Sequence, residues 1–320
     1  MNLACGVFGF PLGHSISAIF QQAAFDFERL DVTYHAWPVS PVEFPARLLE
    51  LRESRFLGAN VTIPHKETAL TFVDYVDPIA AAVGAVNTVV RKGRELRGYN
   101  TDVPGFLDFL GRDVGGSPAG GSALLLGSGG AARAVGLGLV LAGAGRLVVT
   151  NRSPDRAHQL CEHLASVSQS AIEALRASLA PHLLSFGGVS ESSSCTNTAR
   201  AATPIVEVVA WHGDAFREAV RTCRLVVNCT SLGMFGAHQD VSPLPADVAL
   251  HPDAVVVDIV ANPLRTRLLA EVEEAGRRAV GGLPMLVYQG ATSFTLWTGR
   301  AAPLDVMREA AIAHMRGLAP

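Results

Sequence analysis

Two ionisable residues in the first third of the chain stand where acid–base chemistry is feasible. Lys66 follows Pro64 in a segment where a predicted strand ends and a helix that continues through Leu70 and Val73 begins, so it falls in the first turn of that helix. A cation there opposes the helix dipole and loses its proton more easily, as general acid–base catalysis near neutral pH requires. The alternative is a solvated surface lysine. Asp102 precedes another predicted helix, where a carboxylate either caps the helix or holds an ammonium group in place.

Three further polar residues suit the binding of a small anion or alcohol. Ser15 and Ser17 lie one residue apart at the start of a predicted amphipathic helix, and Ser17 is the predicted N-cap. The alternative is that both hydroxyl groups hold a carboxylate, which the N–H groups and dipole of a helix N-terminus also favour. Asn87 heads an apolar strand, where its amide either contacts a ligand or stabilises a turn.

A glycine-rich segment, Ser122 to Arg133, predicts a nucleotide site. It reads as a buried strand, a glycine turn and the first turn of a helix, which together form a βα unit. Gly127, Gly129 and Ala132 fit Gly-x-Gly-x-x-Gly/Ala, in which the glycines allow a tight turn and close approach of a pyrophosphate. A tight turn in some other α/β domain is the alternative reading.

The end of the next predicted strand favours NADP over NAD. An NAD-binding fold places an acidic residue on the ribose hydroxyls roughly 20 residues beyond the glycines. Here the chain has Asn151, Arg152 and Ser153, with Arg156 one turn later. Guanidinium groups suit the 2′-phosphate of NADP. The alternative is that these arginines only solvate a helix start.

Composition excludes several classes of protein. The chain has 320 residues, 49% of them hydrophobic. Its formal charge of −3 does not favour binding to nucleic acid or to an anionic membrane surface. The N-terminal segment lacks the basic region of a signal peptide, and no apolar run approaches ~18 residues, so we expect a cytoplasmic protein. Five cysteines without a Cys-x-x-Cys pair, and ten histidines without ligand spacing, predict no metal.

The predicted organisation is α/β with two domains. Residues 1–103 form an N-terminal α/β substrate domain, and 104–285 form a Rossmann-like, doubly wound NADP-binding domain after a glycine-rich linker. Apolar helices at 286–320 are expected to return to the first domain. A segment rich in Ser, Ala and Thr at 166–204 is the predicted insertion, part helix and part loop.

Taken together, the motifs resemble the shikimate dehydrogenase family over almost the whole chain apart from that insertion. Each motif alone is weak, but all of them occur in the family's order. They are Gly13-His14-Ser15-Ile16-Ser17, Asn60-Val61-Thr62-Ile63-Pro64-His65-Lys66, Gly84-Ala85-Val86-Asn87-Thr88, Gly98-Tyr99-Asn100-Thr101-Asp102, Gly127-Ser128-Gly129-Gly130-Ala131-Ala132-Arg133, Asn151-Arg152-Ser153, Asn228-Cys229-Thr230-Ser231-Leu232-Gly233-Met234 and Gln289-Gly290-Ala291.

The resemblance implies a reversible, NADPH-dependent reduction of 3-dehydroshikimate to shikimate, a step toward the aromatic amino acids. It implies Lys66 and Asp102 as the catalytic pair, and a small-molecule substrate bound by a monomer or homodimer. The substrate residues that it implies are Ser15, Ser17, Thr62, Asn87, Asp102 and Gln289. The cofactor residues are Gly127, Gly129, Gly130, Ala131, Ala132, Asn151, Arg152, Arg156, Thr230, Met234, Gly282 and Met285.

Four positions depart from the family pattern. Ala261 replaces the usual tyrosine, Gly281 and Pro284 replace the usual Asp and Gly before Met285, and Ala18 replaces a proline. Three alternatives stay open: a quinate/shikimate or aminoshikimate-type dehydrogenase of the same family, an inactive NADP-binding sensor or regulator, and a carbonyl reductase that shares only the glycine loop.

Overall fold

The protein is described from a computed structural model that covers residues 3–12, 15–115, 118–183 and 204–317. Strands and helices alternate along the chain, and the α/β class is confirmed. The strands are β1 Leu3–Gly9, β2 Val32–Pro38, β3 Gly58–Val61, β4 Tyr75–Val76, β5 Thr88–Lys92, β6 Glu95–Tyr99, β7 Ser122–Leu126, β8 Arg146–Thr150, β9 Ile205–Val208, β10 Leu225–Asn228, β11 Val255–Asp258 and β12 Arg278–Gly281.

The helices are α1 Ile16–Phe27, α2 Phe44–Leu49, α3 Lys66–Ala69, α4 Pro78–Val83, α5 Asp102–Phe109, α6 Gly130–Leu141, α7 Pro154–Ser166, α8 Gln169–Ser178, α9 Ala180–Leu183, α10 Asp214–Thr222, α11 Arg267–Glu274, α12 Leu283–Thr298 and α13 Leu304–Gly317. A short 3₁₀ helix, Glu50–Arg52, follows α2, and a π-helical turn, Leu110–Val114, follows α5.

The chain forms two compact units. The first contains Met1–Gly105 and Leu286–Pro320, and the second contains Phe106–Met285. Of the segment predicted as an insertion, the described part is helical through α8 and α9, and residues 184–203 lie outside the described residues.

The first unit is built on a mixed sheet with strand order β2-β1-β3-β5-β6-β4. β1 runs parallel to β2 and β3, whereas β5 is antiparallel to both β3 and β6. Phe8, Phe44, Leu48 and Leu96 are among the buried residues of its core. The C-terminal helices belong to this unit: α13 packs on α1, and the Trp297 indole N–H on α12 donates to the backbone carbonyl of Val89, 3.0 Å away.

The second unit has a six-stranded, all-parallel sheet with strand order β12-β11-β10-β7-β8-β9. This is the doubly wound order, in which successive strands are added on one side of β7 and then, from β10 onward, on its other side. Leu124, Val148, Val226 and Val256 form its buried centre, as expected for strands covered by helices on both faces.

Two local predictions for the first unit are wrong. Ser17 is not an N-cap: α1 begins at Ile16, and Ser15 occupies the cap position. Ile16 is buried one helical turn before buried Phe20, so the apolar face extends the helix past Ser17.

The helix that carries Lys66 is also shorter than predicted, because α3 ends at Ala69. Leu70, Phe72 and Val73 all pack on the core, and a straight helix cannot direct side chains two residues apart to one face. A single turn of helix has only a small dipole field. The helix dipole is therefore too weak to support the expectation that Lys66 loses its proton more easily.

Candidate functional site

The topology of the first unit brings the predicted substrate residues to one edge of its sheet. Parallel strands β1 and β3 end there, and the chain continues from them to Ser15 and to Lys66. Antiparallel β5 begins at that edge directly after Asn87, and β6 ends there before Asp102. Four segments that are remote in sequence therefore meet, which the spacing of the motifs does not reveal.

Lys66 and Asp102 form an ion pair at this edge. The Lys66 Nζ donates to Asp102 Oδ2 across 2.6 Å, and the two side chains are only 13% and 9% exposed. Charge-assisted hydrogen bonds of this length are strong, and a pair so shielded from water is only weakly screened by salt. The pair provides an ammonium group that can donate a proton and a carboxylate that orients it.

Asp102 is held from both sides and does not act as a simple helix cap. It is the first residue of α5, and its Oδ1 accepts a hydrogen bond of 2.8 Å from the Asn87 Nδ2. The backbone N–H of Asp102 donates to Asn100 Oδ1 at 3.1 Å. Each carboxylate oxygen thus has a donor, and the side chain is fixed before any substrate arrives.

The Asn87 amide is oriented by the backbone. Its Oδ1 accepts from the N–H of Thr101 at 2.7 Å, so its NH₂ group faces the opposite way, toward Asp102. Gln289 lies on α12, is 8% exposed, and accepts a long hydrogen bond of 3.5 Å from the Asn87 amide. The structure therefore brings together Lys66, Asp102, Asn87 and Gln289.

Ser15, Ser17 and Thr62 lie on the segments that lead away from β1 and β3. The Ser15 side chain makes no capping hydrogen bond although it occupies the cap position of α1. Both serines are half-buried, and Ser17 lies in the first turn of this twelve-residue helix. Thr62 follows β3 directly, and its N–H donates to the carbonyl of Phe8 at 2.8 Å. The two serines place hydroxyl groups at a helix N-terminus, which suits a carboxylate.

His65, which the sequence did not single out, immobilises the residue before Lys66. It is 1% exposed, its Nε2 donates to the backbone carbonyl of Val39 at 2.8 Å, and its ring stacks on Phe44. Burial lowers the pKa of His65, although the hydrogen bond to Val39 opposes this, and the ring is neutral at pH 7.

In the second unit, the glycine turn lies at the carboxyl end of β7, beside β10. The order in which the strands are added to the sheet reverses between these two strands. Gly127 has a φ of 107°, and a Cβ on it would lie 3.1 Å from the carbonyl oxygen of Cys229. Only glycine adopts this conformation without strain at such a close approach. Ala132 is fully buried, as expected for the small residue that lets helix pack on strand.

The start of α6 fits the diphosphate of a dinucleotide. Gly129 is the N-cap, no side chain caps the helix, and a Cβ placed on Gly129 would meet no atom within 4 Å. The N–H groups of Gly130 and Ala131 therefore begin a twelve-residue helix next to open space. Such a terminus binds anions through its free N–H groups and its dipole.

The segment after β8 offers positive charge. The Asn151 side chain donates to the carbonyl of Ser153 at 3.1 Å, which fixes the turn before α7. Arg152 and Arg156 are both exposed. Together they suit an additional phosphate on the cofactor better than they suit bare ribose hydroxyls.

A buried carboxylate orders the loop after β10. Asp258 is fully buried and accepts from the Thr266 hydroxyl at 2.6 Å and from the Asn228 amide at 2.9 Å. Asn228 Oδ1 in turn accepts from the hydroxyl of Thr230 at 2.7 Å and from its N–H at 3.0 Å. Burial raises the pKa of Asp258, although these hydrogen bonds lower it in part. No local sequence signal points to this role of Asp258.

The remaining predicted cofactor residues lie at the same edge. Met234 is 42% exposed on the loop after β10, whereas Met285 is 6% exposed in the first turn of α12. Gly282 connects β12 to that helix, and Pro284 occupies its first turn, where a missing N–H costs nothing.

Within the described residues, no group of three or more His, Cys, Asp and Glu side chains could hold a metal ion. Over the same ranges, none of the helices combines the length and apolar character needed to cross a bilayer.

Comparisons with known proteins agree with this geometry. Residues 7–89 match the family model of the shikimate dehydrogenase substrate binding domain, and residues 282–312 match that of the shikimate 5′-dehydrogenase C-terminal domain. A shikimate dehydrogenase (NADP(+)) of Moorella thermoacetica is 42% identical over 93% of this chain and 89% of its own length. Another, of Symbiobacterium thermophilum, is 42% identical over 98% of this chain and 94% of its own length.

A solved structure gives the same result in three dimensions. It is the shikimate 5-dehydrogenase of Thermus thermophilus in complex with NADP(H) and shikimate. Its sequence is 36% identical, the match covers 97% of this chain and 99% of that one, and the TM-score is 0.76.

Proposed function

The chain belongs to the shikimate dehydrogenase family, and from that premise we propose how its residues carry out the reaction. It is an NADP-dependent oxidoreductase that interconverts shikimate and 3-dehydroshikimate. Its place in the biosynthesis of aromatic amino acids and its location in the cytoplasm are part of the proposal, since they follow from the family's role.

One observation carries the assignment of the catalytic pair. The Lys66 ammonium and the Asp102 carboxylate lie 2.6 Å apart in a shielded setting, at the edge where the predicted substrate residues meet. Reduction of a ring ketone adds negative charge to its oxygen, and a proton must arrive there. Lys66 stabilises that oxygen and donates the proton, and Asp102 orients the ammonium group.

Bound NADPH supplies the hydride in this reaction. The residues proposed to hold its diphosphate are Gly127, Gly129, Gly130, Ala131 and Ala132. We assign Asn151, Arg152 and Arg156 to the 2′-phosphate. Thr230, Met234, Gly282 and Met285 are assigned to the nicotinamide.

Substrate recognition is assigned to hydroxyl and amide groups of the first unit. Ser15 and Ser17 hold the ring carboxylate, which is supported by the uncapped N-terminus of α1. Thr62, Asn87 and Gln289 contact the ring hydroxyls together with Asp102. Asn87 can contact a ring hydroxyl only by sharing the amide protons that it directs to Asp102 and Thr101.

The test is the reduction of NADP⁺ followed at 340 nm with shikimate as substrate, repeated with quinate and with NAD⁺. Quinate is included because Ala261, half-buried just after β11, offers no phenol to the substrate. We expect the highest kcat/KM with shikimate and NADP⁺. A higher kcat/KM with quinate would identify the protein as a quinate dehydrogenase instead. No turnover with either alcohol would indicate a binding protein without catalytic function.

A further inference from the structure

Three hydroxyl groups form a buried cluster next to Asn87. They belong to Thr88 at the start of β5, Thr101 just before α5 and Ser293 in the middle of α12, and their exposed fractions are 0%, 1% and 0%. Their oxygens lie 2.8–3.2 Å from one another. Residues so far apart in sequence meet here because α12 returns to the first unit.

The hydrogen bonds of Ser293 have a fixed direction. Its Oγ donates to the carbonyl of Gln289 at 3.0 Å and accepts from the Asn60 Nδ2 at 3.0 Å. The Asn60 amide cannot reverse without loss, because its Nδ2 also donates to the backbone carbonyl of Asn87 at 3.3 Å, and a carbonyl can only accept. A hydroxyl group has one proton and two lone pairs, so Ser293 has one place left, as an acceptor, which the hydroxyl groups of Thr88 at 2.8 Å and Thr101 at 3.1 Å share.

The hydrogen bonds of Thr101 are directed by Asn87. The Asn87 NH₂ group donates to Thr101 Oγ1 at 3.0 Å and to Asp102 Oδ1 at 2.8 Å. Thr101 therefore accepts from the Asn87 amide, and the acceptors within reach of its own proton are Ser293 at 3.1 Å, Asn87 Oδ1 at 3.2 Å and Gln289 Oε1 at 3.3 Å. Ser293 is thus one of the acceptors that keep the Thr101 hydroxyl turned toward the helix.

We propose that Ser293 is a positioning residue for the dehydrogenase reaction, acting through Thr101 and Asn87 on Asp102. Its Oγ and the carbonyl of its own helix turn set the donor order of the cluster. Together with the Thr101 N–H, this order keeps the Asn87 NH₂ group directed at the carboxylate that holds Lys66. The inference rests on the proposed function, since it assumes that the Lys66–Asp102 pair performs the chemistry.

The close packing of α5 on α12 supports this route. A Cβ on Gly105 would lie 2.7 Å from the backbone nitrogen of Gln289, so the two helices touch through their backbones. α5 begins at Asp102, and α12 carries both Gln289 and Ser293. A change at Ser293 therefore reaches Asp102 through rigid elements.

The first test is Ser293→Ala, which deletes the hydroxyl and places a strong helix former inside α12. Loss of one buried hydrogen bond that fixes catalytic geometry should lower kcat with shikimate about tenfold. We expect KM for NADP⁺ to stay unchanged, because the cofactor residues belong to the other unit.

Thr292→Ala is the matched control on the same helix. The Thr292 hydroxyl also donates to the carbonyl four residues earlier, Tyr288, at 3.2 Å, but it takes no part in the cluster. This variant should keep the kcat of the parent. An equal loss of kcat in Thr292→Ala, or an unchanged kcat in Ser293→Ala, would overturn the proposal.

A second pair of variants tests the cluster at its other end. Thr88→Val keeps the shape of the side chain but removes the hydroxyl that contacts Ser293 at 2.8 Å, whereas Thr88→Ser keeps the hydroxyl. We expect Thr88→Val to lose kcat and Thr88→Ser to restore most of it. Equal activity of the two variants contradicts the proposal.

A double-mutant cycle separates positioning from simple loss of stability. If Ser293 acts through Asn87, Ser293→Ala should cost nothing further in an Asn87→Ala background. Additive losses would overturn the inference. Lys66→Ala, measured alongside, separates the test of the mechanism from the test of Ser293. If Lys66→Ala retains full turnover, the proposed function fails. If Lys66→Ala is inactive while Ser293→Ala keeps the kcat of the parent, only the role of Ser293 is removed.

Discussion

The imidazole of His65 lies face to face with the phenyl ring of Phe44, with centroids 4.2 Å apart and planes 6° from parallel. Phe44 opens α2 and is fully buried, so this contact attaches the residue before Lys66 to the core. Lys66 is thus positioned from its backbone as well as through its pairing with Asp102. Both attachments lead to measurable consequences.

Replacing His65 should alter how stability depends on pH. Burial lowers the pKa of the folded-state ring below its ordinary 6.5, so the unfolded chain binds more protons in acid. The contribution of the neutral ring is complete above pH 6.5 and is lost as the pH falls toward the folded-state pKa. His65→Phe keeps an aromatic ring on Phe44 but cannot titrate. Urea unfolding of this variant should show a flatter decline below pH 6.5 than the parent, and an identical decline would contradict the assignment.

Lys66→Ala should reduce kcat by about 10²–10⁴, the range that a positioned general acid or base contributes. The dissociation constant for NADPH, measured by fluorescence titration, should not change, since the cofactor residues lie in the second unit. Lys92→Ala is the control, because Lys92 is exposed at the end of β5 and is the only other lysine of the chain. Wild-type turnover in Lys66→Ala would remove this residue from the mechanism.

Ser15→Ala should weaken the binding of substrate without affecting that of cofactor. A hydroxyl bonded to a carboxylate contributes about 1.5–3 kcal/mol, so KM for shikimate should rise roughly ten- to a hundredfold. The methyl ester of shikimate, which lacks the negative charge, serves as the comparison substrate. The effect of the substitution should shrink with the ester, and an equal effect on both substrates would argue against a carboxylate at this helix terminus.

Arg152→Ala should change the choice between the two dinucleotides. Loss of one guanidinium from the 2′-phosphate should raise KM for NADP⁺ about tenfold or more and leave KM for NAD⁺ nearly unchanged. Arg221→Ala provides the control, since Arg221 is exposed in the last turn of α10 and pairs with Glu218 at 3.0 Å. Equal losses with NADP⁺ and NAD⁺ would exclude a role of Arg152 in phosphate recognition.

Two neighbouring glycines of the turn should respond differently to the same substitution. Gly127→Ala forces an L-residue to a φ of 107° against the Cys229 carbonyl, so the free protein should lose about 1–3 kcal/mol of unfolding free energy. Gly129 has an ordinary φ of −76°, and a Cβ added there would meet no atom within 4 Å, so the free Gly129→Ala protein should keep its stability. Its methyl group would instead occupy the space assigned to the diphosphate and weaken NADPH binding. Calorimetry with and without NADPH separates the two effects.

The α/β class and the glycine turn could be predicted from the sequence because both depend on local signals. The apolar run before Gly127, the small residue at 132 and the paired serines are visible without tertiary information. The start of α1 was misplaced by one or two residues, since the burial of Ile16 decides it and is not a property of the local sequence.

The supporting residues of the site could not be predicted. Thr88, Thr101 and Ser293 are ordinary small polar residues in the sequence, and their importance depends on contacts across as many as 205 positions. Asp258 gives no signal either, because its partners are brought to it by parallel strand pairing. The sequence therefore indicates the residues proposed to contact ligands better than it indicates the buried residues that contact them.

The first unit is interrupted by the second and is completed only by residues near the end of the chain. During synthesis on the ribosome, the segment carrying Lys66 and Asp102 emerges long before the helix that buries their hydroxyl neighbours. The cofactor-binding half can fold as one continuous stretch, while the other half must wait until residues 286–320 have been translated. A message truncated after codon 285 would accordingly yield a product with an intact nucleotide fold and an unfinished catalytic half, and limited proteolysis of such a product would degrade residues 1–105 first.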